Sequence, residues 1–125
     1  MDIVYIHDLE IETVIGIYDW ERERRQVVRL DLEMATDIRP AARDDDIRLA
    51  LDYKQVAKRV IAFVEGSEYF LVETLAEEIA RLVRTEFQVP WMRLRVGKPG
   101  AVTGSREVGV VIERGDRSAG ADART

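Results

Sequence analysis

Cysteine is absent from this 125-residue chain, and histidine occurs once, as His7. Without cysteine the chain can form no disulfide and can carry no thiol nucleophile, which fits a cytoplasmic protein. With no cysteine and one histidine, a zinc site here would consist mostly of carboxylates. Zinc disfavours such a site because it prefers sulfur and nitrogen ligands. The acidic run Asp44, Asp45 and Asp46 lacks the spacing of a calcium loop. We therefore expect no metal site and interpret this run as a solvated turn.

Long apolar runs and an excess of positive charge are also missing. No run approaches the ~18 apolar residues that a membrane span requires. The first residues, MDIVYIHDLEI, lack the basic start and long apolar core of a secretory signal. The formal net charge of −5 argues against a surface for nucleic acid or anionic lipid. We expect a single cytoplasmic domain with no nucleic-acid or membrane partner.

Lysine is scarce, since only Lys54, Lys58 and Lys98 interrupt a set of basic residues that are otherwise arginines. In the stretch WMRLRVGKPGAVTG, Lys98 continues the alternation of Met, Leu and Val, so it is predicted on the apolar side of its strand. Pro99 restricts Lys98 to an extended backbone. The lysine stem could simply cover apolar surface while its amine reaches water. Alternatively, a partly desolvated amine could exchange protons with a substrate. Spacing alone leaves both interpretations open.

The hydrophobic pattern predicts the order strand, strand, helix, helix, strand, strand. Period-two alternation is clearest in QVVRLDLEMATDI, and the first segment should carry an irregularity before Gly16. Helical spacing occurs in LDYKQVAKRVIAFVEGSE and LVETLAEEIARLVRTEF, whereas RPAARDDDIRLA is predicted to be a loop. We expect an α+β fold, a four-stranded antiparallel sheet with both helices on one face. The domain should span residues 1–115, with 116–125 a polar, disordered tail.

Four further polar residues have both a structural and a functional interpretation. Glu73 near the start of the second helix would interact favourably with the helix dipole, or its two oxygens could accept two N–H groups of a planar heterocycle. Tyr53 is a packing residue or a proton donor. Glu21, in the charge-rich stretch DWERERR, would ordinarily be solvated. Asp52, three residues before Gln55, predicts a cap on the first helix.

Five segments taken in order resemble the bacterial dihydroneopterin aldolases of folate biosynthesis: DIVYIHDLEIETVIGIYDWERE, DDDIRLALDYKQV, LVETLAEEIA, WMRLRVGKPGAV and VGVVIERG. The resemblance covers residues 2 to about 115. It implies the tunnelling fold, in which the sheets of several subunits close into a barrel. It also implies a homo-octamer of two stacked four-subunit rings with active sites between neighbouring subunits.

The resemblance implies cleavage of 7,8-dihydroneopterin into 6-hydroxymethyl-7,8-dihydropterin and glycolaldehyde, without metal or organic cofactor, and epimerisation at the 2′ carbon in some members. The C6=N5 imine of the dihydropterin can accept the electron pair that the broken bond releases. By this resemblance Lys98 is the general acid/base, acting through a bound water. The resemblance also implies that Tyr53 of the adjacent subunit would protonate the enol-like intermediate and cover the pterin. It implies that Glu21 would help to position the hydroxyl groups of the substrate and the water.

The resemblance also supplies a pterin pocket. Glu73 would accept hydrogen bonds from N3–H and the 2-amino group, and backbone groups around Leu51, Asp52 and Val72 would complete the pocket. If the Asp52 side chain caps its helix, catalysis should not depend on it, whereas a side chain facing the substrate would alter affinity. Two alternatives remain at this point: a dihydroneopterin triphosphate 2′-epimerase, and a non-catalytic pterin-binding module in which Lys98 only covers apolar surface.

Overall fold

The computed structural model describes residues 1–117 and contains a four-stranded antiparallel sheet in the order β1-β2-β3-β4. The strands are β1 (Asp2–Thr13), β2 (Gln26–Thr36), β3 (Trp91–Pro99) and β4 (Glu107–Gly115). The long helices α3 (Tyr53–Glu65) and α4 (Val72–Glu86) pack on one face of the sheet, and α1 (Asp19–Arg22) and α2 (Arg39–Asp44) are short. The predicted α+β fold is therefore confirmed.

The core lies between the sheet and the two long helices, and alternation in the strands produces it. From residue 28 to 34 in β2 and from residue 92 to 96 in β3, every second residue points toward the helices and has no exposed surface, while the residues between them are charged. On the helices, apolar side chains three and four positions apart meet this layer. The fully buried members include Val28, Leu30, Leu32, Met34, Val56, Val60, Leu75, Ile79, Met92, Leu94 and Val96.

The irregularity predicted in the first segment, before Gly16, is a bulge in the middle of β1. The pairing of β1 with β2 shifts register between Ile6 and Leu9, and Asp8 adopts a positive φ of 54°. The backbone N–H of Asp8 donates to the Asp31 carboxylate at 2.7 Å, so the bulge is held by a side chain of the neighbouring strand. Gly16 lies beyond the end of the strand. The expectation of an irregularity before Gly16 is therefore confirmed.

The stretch predicted to be a loop between β2 and α3 contains helical turns. Residues Arg39–Asp44 form α2, with a proline in its first turn, and Ile47–Leu49 form a 3₁₀ helix. The Asp46 carboxylate caps the 3₁₀ helix by accepting the Arg48 backbone N–H at 2.9 Å. These turns are too short to show hydrophobic periodicity, which is why the pattern of the sequence missed them.

The chain beyond β4 continues against the sheet for two residues. The Asp116 N–H donates to the Pro90 carbonyl at 3.0 Å, and the Arg117 guanidinium lies 4.9 Å from the centre of the Trp91 ring. The predicted polar tail otherwise falls on residues 118–125, outside the described residues. Within residues 1–117, no helix combines the length and the apolar character needed to cross a bilayer.

One end of the fold gathers the end of β3 together with the turn between the long helices. The Thr13 hydroxyl, at the end of β1, donates to the Ser67 carbonyl at 2.9 Å, and Arg25, just before β2, donates to the Glu65 carbonyl at 2.9 Å. Because β3 is antiparallel to β2, its last residues reach the same end. With 13 residues, α3 is ~18 Å long, so its first residue, Tyr53, lies that far from this end.

Candidate active site

Lys98 and Glu21 form an ion pair at this end of the fold. Lys98 follows Val96 on the helix-facing side of β3 and pairs across the ladder with Val108, so the apolar register predicted for it is confirmed. Its Nζ contacts Oε2 of Glu21, and the two side chains are 13% and 5% exposed. Lysine and glutamate are rarely withdrawn from water unless they are paired, and a pair of this kind at the end of a strand is a candidate functional site.

The loop before α1 is shaped so that the Glu21 carboxylate can enter the protein. Gly16 has φ +126°, and a Cβ on it would lie 2.2 Å from Cδ of Glu21. Only glycine fits both the torsion and the space. The Tyr18 N–H donates to Oε1 of Glu21 at 3.3 Å, and Gln26 Nε2 donates to Oε2 at 3.2 Å. The carboxylate therefore has a backbone, an amide and an amine partner.

These partners determine the ionisation of Glu21. Burial alone would raise the pKa of the carboxyl, but hydrogen bonds from Lys98, Gln26 and the Tyr18 backbone, with the charge of Lys98, outweigh it and leave the pKa below its ordinary value. Glu21 is thus held as an anion near neutral pH. An anion fixed beside an amine can orient that amine and compensate its charge while it takes up and returns a proton.

Glu73 and Val72 begin α4 at the same end of the molecule. Both follow directly on the connection between the long helices, at residues 66–71, which is bonded to the segments before β2. The Glu73 side chain is exposed, and Val72 packs partly against the core. The structure therefore places these two residues on the Lys98 side of the molecule.

Tyr53, Asp52 and Leu51 lie at the other end of α3. Tyr53 is 54% exposed. Asp52 Oδ1 accepts the backbone N–H groups of Lys54 and Gln55 at 3.1 and 3.2 Å, so the predicted cap is confirmed. Leu51 is half-buried against the core. Within one chain, these three residues therefore lie one helix length, ~18 Å, from the end of α3 that Arg25 holds.

Sequence reasoning missed Gln26, although a signal for it exists. Gln26 precedes Val28 and Leu30 in the buried register of β2, in the way that Lys98 follows Val96 in β3. At the end of a strand, a polar residue can continue the alternation of buried apolar residues. Such a residue marks the position where the core meets solvent. Applied to both strands, this criterion would have paired the two residues at one end of the sheet.

A separate group of possible metal ligands lies on the open face of the sheet. Within residues 1–117, His7, Asp8 and Asp31 are the one set of three such groups whose ligand atoms come within 4.8 Å of one another. Asp31 is already engaged, since Oδ1 accepts the Asp8 N–H and Oδ2 lies 3.4 Å from an Arg95 nitrogen. A neighbouring guanidinium disfavours a cation here.

Comparison with known proteins gives a consistent result. The family model described as dihydroneopterin aldolase, FolB, matches residues 4–113. The dihydroneopterin aldolase of Escherichia coli K12 is 47% identical over 93% of this chain and 95% of its own length. A crystal structure of E. coli dihydroneopterin aldolase in complex with neopterin superimposes with a TM-score of 0.90 at 48% identity, covering 92% of this chain and 100% of that one. A dihydroneopterin triphosphate 2′-epimerase of Pseudomonas aeruginosa is 29% identical over 87% of this chain and 89% of its own length.

Proposed function

The chain belongs to the dihydroneopterin aldolase family, and we propose that it cleaves 7,8-dihydroneopterin by a retro-aldol reaction. The products are 6-hydroxymethyl-7,8-dihydropterin and glycolaldehyde. The observation that carries the proposal is the Lys98–Glu21 pair, an amine held out of water beside a carboxylate at the open end of the core. The relatives named as aldolases, with 47% identity over nearly the whole chain, support the same reaction.

The chemistry needs proton transfers at two positions. Removal of the proton from the 2′-hydroxyl lets its oxygen form the aldehyde carbonyl as the C1′–C2′ bond breaks. The electron pair of that bond moves into a C1′=C6 double bond, and the C6=N5 imine becomes an enamine. Protonation at C1′ then gives the hydroxymethyl product. The substrate itself accepts the electrons, so the protein has to orient it and to move protons.

Lys98 is the group proposed to move the first proton, through a bound water. Glu21 lies beside it, holds the amine in position and offers acceptor oxygens to the water and to the hydroxyl groups of the side chain. Glu73, at the exposed start of α4, is proposed to accept the pterin N3–H and 2-amino group, with the backbone at Val72 beside it. Two parallel N–H donors facing one carboxylate make a strong bidentate contact.

We further propose that each site forms between two copies of the chain in a homo-octamer. Tyr53, which would protonate the intermediate, and the backbone at Leu51 and Asp52 lie at the start of α3, one helix length (~18 Å) from the end of α3 that leads toward Glu73. A second copy can bring them to the Lys98 end. The large apolar residues exposed at both ends of α3 support such packing, and they include Ile17, Tyr18, Trp20, Ile47, Leu49, Phe70 and Leu71.

Subunit complementation tests this arrangement. Lys98→Ala and Tyr53→Phe each remove one half of the proposed site. If the halves come from different chains, dissociating a one-to-one mixture and reassembling it should place both intact residues in about a quarter of the sites. Activity should then reappear in a mixture of two inactive proteins. A mixture that stays at the level of its components would show that one chain supplies the whole site.

The reaction itself is tested by incubating the pure protein with 7,8-dihydroneopterin, with and without a chelator. We expect glycolaldehyde to be released at the same rate in both. Release that stops on chelation would contradict the proposed metal-free mechanism. If the protein instead interconverts the 2′ epimers of dihydroneopterin triphosphate and cleaves neither, its activity is that of the epimerase to which it is 29% identical. A cytoplasmic location stays a prediction that cell fractionation can check.

A further inference from the structure

We propose that Arg22 is a positioning residue that ties the loop holding Glu21 to the start of α4, which carries Glu73. The proposal rests on the proposed function, in which Glu73 binds the pterin and Glu21 acts beside Lys98. Glu21 in α1 and Glu73 in α4 are 52 positions apart in the sequence. If Glu73 holds the pterin ring while Glu21 and Lys98 act on its side chain, the distance between the two carboxylates has to be fixed.

The Arg22 guanidinium makes four contacts that bridge the two segments. Its Nη1 donates to the Gly16 carbonyl at 3.1 Å and to the Tyr69 carbonyl at 3.0 Å, and its Nη2 donates to the Glu68 carbonyl. The guanidinium carbon also lies 4.1 Å from the centre of the Phe70 ring. Arginine suits this place because its rigid planar fork can serve several acceptors and stack on a ring at once.

On one side, the bridge reaches the backbone that receives Glu21. Gly16, whose carbonyl accepts from Arg22, is the residue whose Cα lies against the Glu21 carboxylate. Arg22 and Glu21 are neighbours in α1, and their side chains leave the helix for different partners. Movement of the Gly16 carbonyl would therefore move the wall of the Glu21 pocket.

On the other side, the bridge supports a helix that has no side-chain cap. Leu71 occupies the N-cap position of α4 and makes no capping hydrogen bond, whereas α3 is capped by Asp52. The position of the first turn of α4 then depends on the connection that precedes it. Three residues of that connection, Glu68, Tyr69 and Phe70, are the ones that Arg22 holds.

The test compares Arg22→Gln with Arg25→Gln. Arg25 is a matched control, because it also donates to two backbone carbonyls, those of Glu12 and Glu65, at 2.9 Å each. Arg25 holds the end of α3, which carries no proposed pterin contact. The readouts are the Kd for neopterin, the KM and kcat for 7,8-dihydroneopterin, and the melting temperature. Arg22→Lys is a second variant, which keeps a cation and some of the hydrogen bonds.

We expect Arg22→Gln to weaken neopterin binding about tenfold and to lower kcat/KM by about ten- to a hundredfold, with Arg22→Lys between it and the wild type. Arg25→Gln should lower the melting temperature but leave Kd and KM within about twofold. In a Glu73→Gln background, Arg22→Gln should change Kd little further, because it acts through that carboxylate.

Two results would overturn the proposal. One is an equal change in Kd for Arg22→Gln and Arg25→Gln, which would reduce Arg22 to a general stabilising role. The other is an undiminished effect of Arg22→Gln on Kd in the Glu73→Gln background. A different result would contradict the proposed function: the wild-type protein would bind neopterin but release no glycolaldehyde from 7,8-dihydroneopterin. The Kd comparison among variants would still decide the role of Arg22 in that case.

Discussion

The Lys98 amine meets the Glu21 carboxylate across 77 residues of sequence, at the point where β3 leaves the core. Neither side chain could be buried alone without a large desolvation cost, and each makes the burial of the other tolerable. The pair therefore has a structural role and, in the proposed reaction, a chemical one. It holds the end of the sheet to the α1 loop, and it keeps an amine out of bulk water beside a group that stays ionised near neutral pH.

Lys98→Ala should lower kcat by about two to four orders of magnitude, as expected for removal of a general acid/base. Neopterin binding should remain largely intact, because the proposed pterin contacts lie on Glu73 and on backbone groups. Steady-state assays with titrations of neopterin fluorescence would measure both. Lys98→Gln should be equally inactive but better folded, since it leaves Glu21 a hydrogen-bond donor.

Lys58→Ala is the matched control for that pair of variants, because Lys58 is an exposed lysine in the middle of α3. Its kcat should equal that of the wild type. If Lys98→Ala retains full turnover, Lys98 only covers apolar surface and the catalytic assignment is wrong.

Glu21 should make the stability of the protein depend on pH in one direction. Its pKa in the folded protein is depressed by its hydrogen bonds and by Lys98 despite its burial. The stabilising contribution of the carboxylate is therefore complete above the ordinary glutamate pKa and is lost as the pH falls through the lower folded value. Urea unfolding of wild type and Glu21→Gln from about pH 7 to about pH 3 should show a gap in unfolding free energy that narrows on acidification. A difference in unfolding free energy that widened on acidification would show that folding raises the pKa of Glu21 and does not lower it.

Asp52 should matter for folding and not for catalysis. Its carboxylate accepts the Lys54 and Gln55 backbone N–H groups, so Asp52→Ala should cost about 1 kcal/mol of stability. Asp52→Asn keeps a capping oxygen and should recover most of that loss. Thermal unfolding combined with neopterin Kd would measure both effects. A marked change in Kd for Asp52→Asn at unchanged stability would show that the side chain faces the substrate.

Gly97 should resist substitution because of a charged side chain rather than because of its backbone torsion. A Cβ on Gly97 would lie 2.2 Å from Oε1 of Glu107, which is itself 2.7 Å from an Arg95 nitrogen. Gly97→Ala should therefore displace the Glu107 carboxylate and cost about 1 kcal/mol. In a Glu107→Ala background that cost should shrink. Thermal or urea unfolding of the four proteins would give the coupling.

Gly109→Ala provides the contrast, because its Cβ would meet the Val96 carbonyl oxygen at 1.9 Å, and backbone cannot move aside as a side chain can. Its cost should be larger and unaffected by Glu107→Ala. Equal costs of Gly97→Ala in both backgrounds would contradict the steric explanation.

Local patterns predicted the elements on which the fold depends. Alternation in β2 and β3 identified the buried faces, and it also placed Lys98 on the helix side before any partner was known. The spacing of Asp52 and Gln55 predicted a helix start that the structure confirms. Each of these features depends on residues close together in the chain, and that is why the sequence could show them.

Features held by distant residues were out of reach of such patterns. Nothing within DWERERR distinguishes Glu21 from its charged neighbours, because its burial depends on Gly16, Gln26 and Lys98. The role of Glu21 came from the family resemblance and not from the stretch itself. The bulge at Asp8 likewise depends on Asp31 in another strand.

A crystal structure of this protein with bound neopterin is the sharpest test of the proposed role of Lys98. We expect the Lys98 amine to lie within hydrogen-bonding distance of the 2′-oxygen, or to be joined to it by one ordered water, with Glu21 still beside the amine. An amine turned toward bulk solvent in the complete assembly, with no water path to that oxygen, would contradict it.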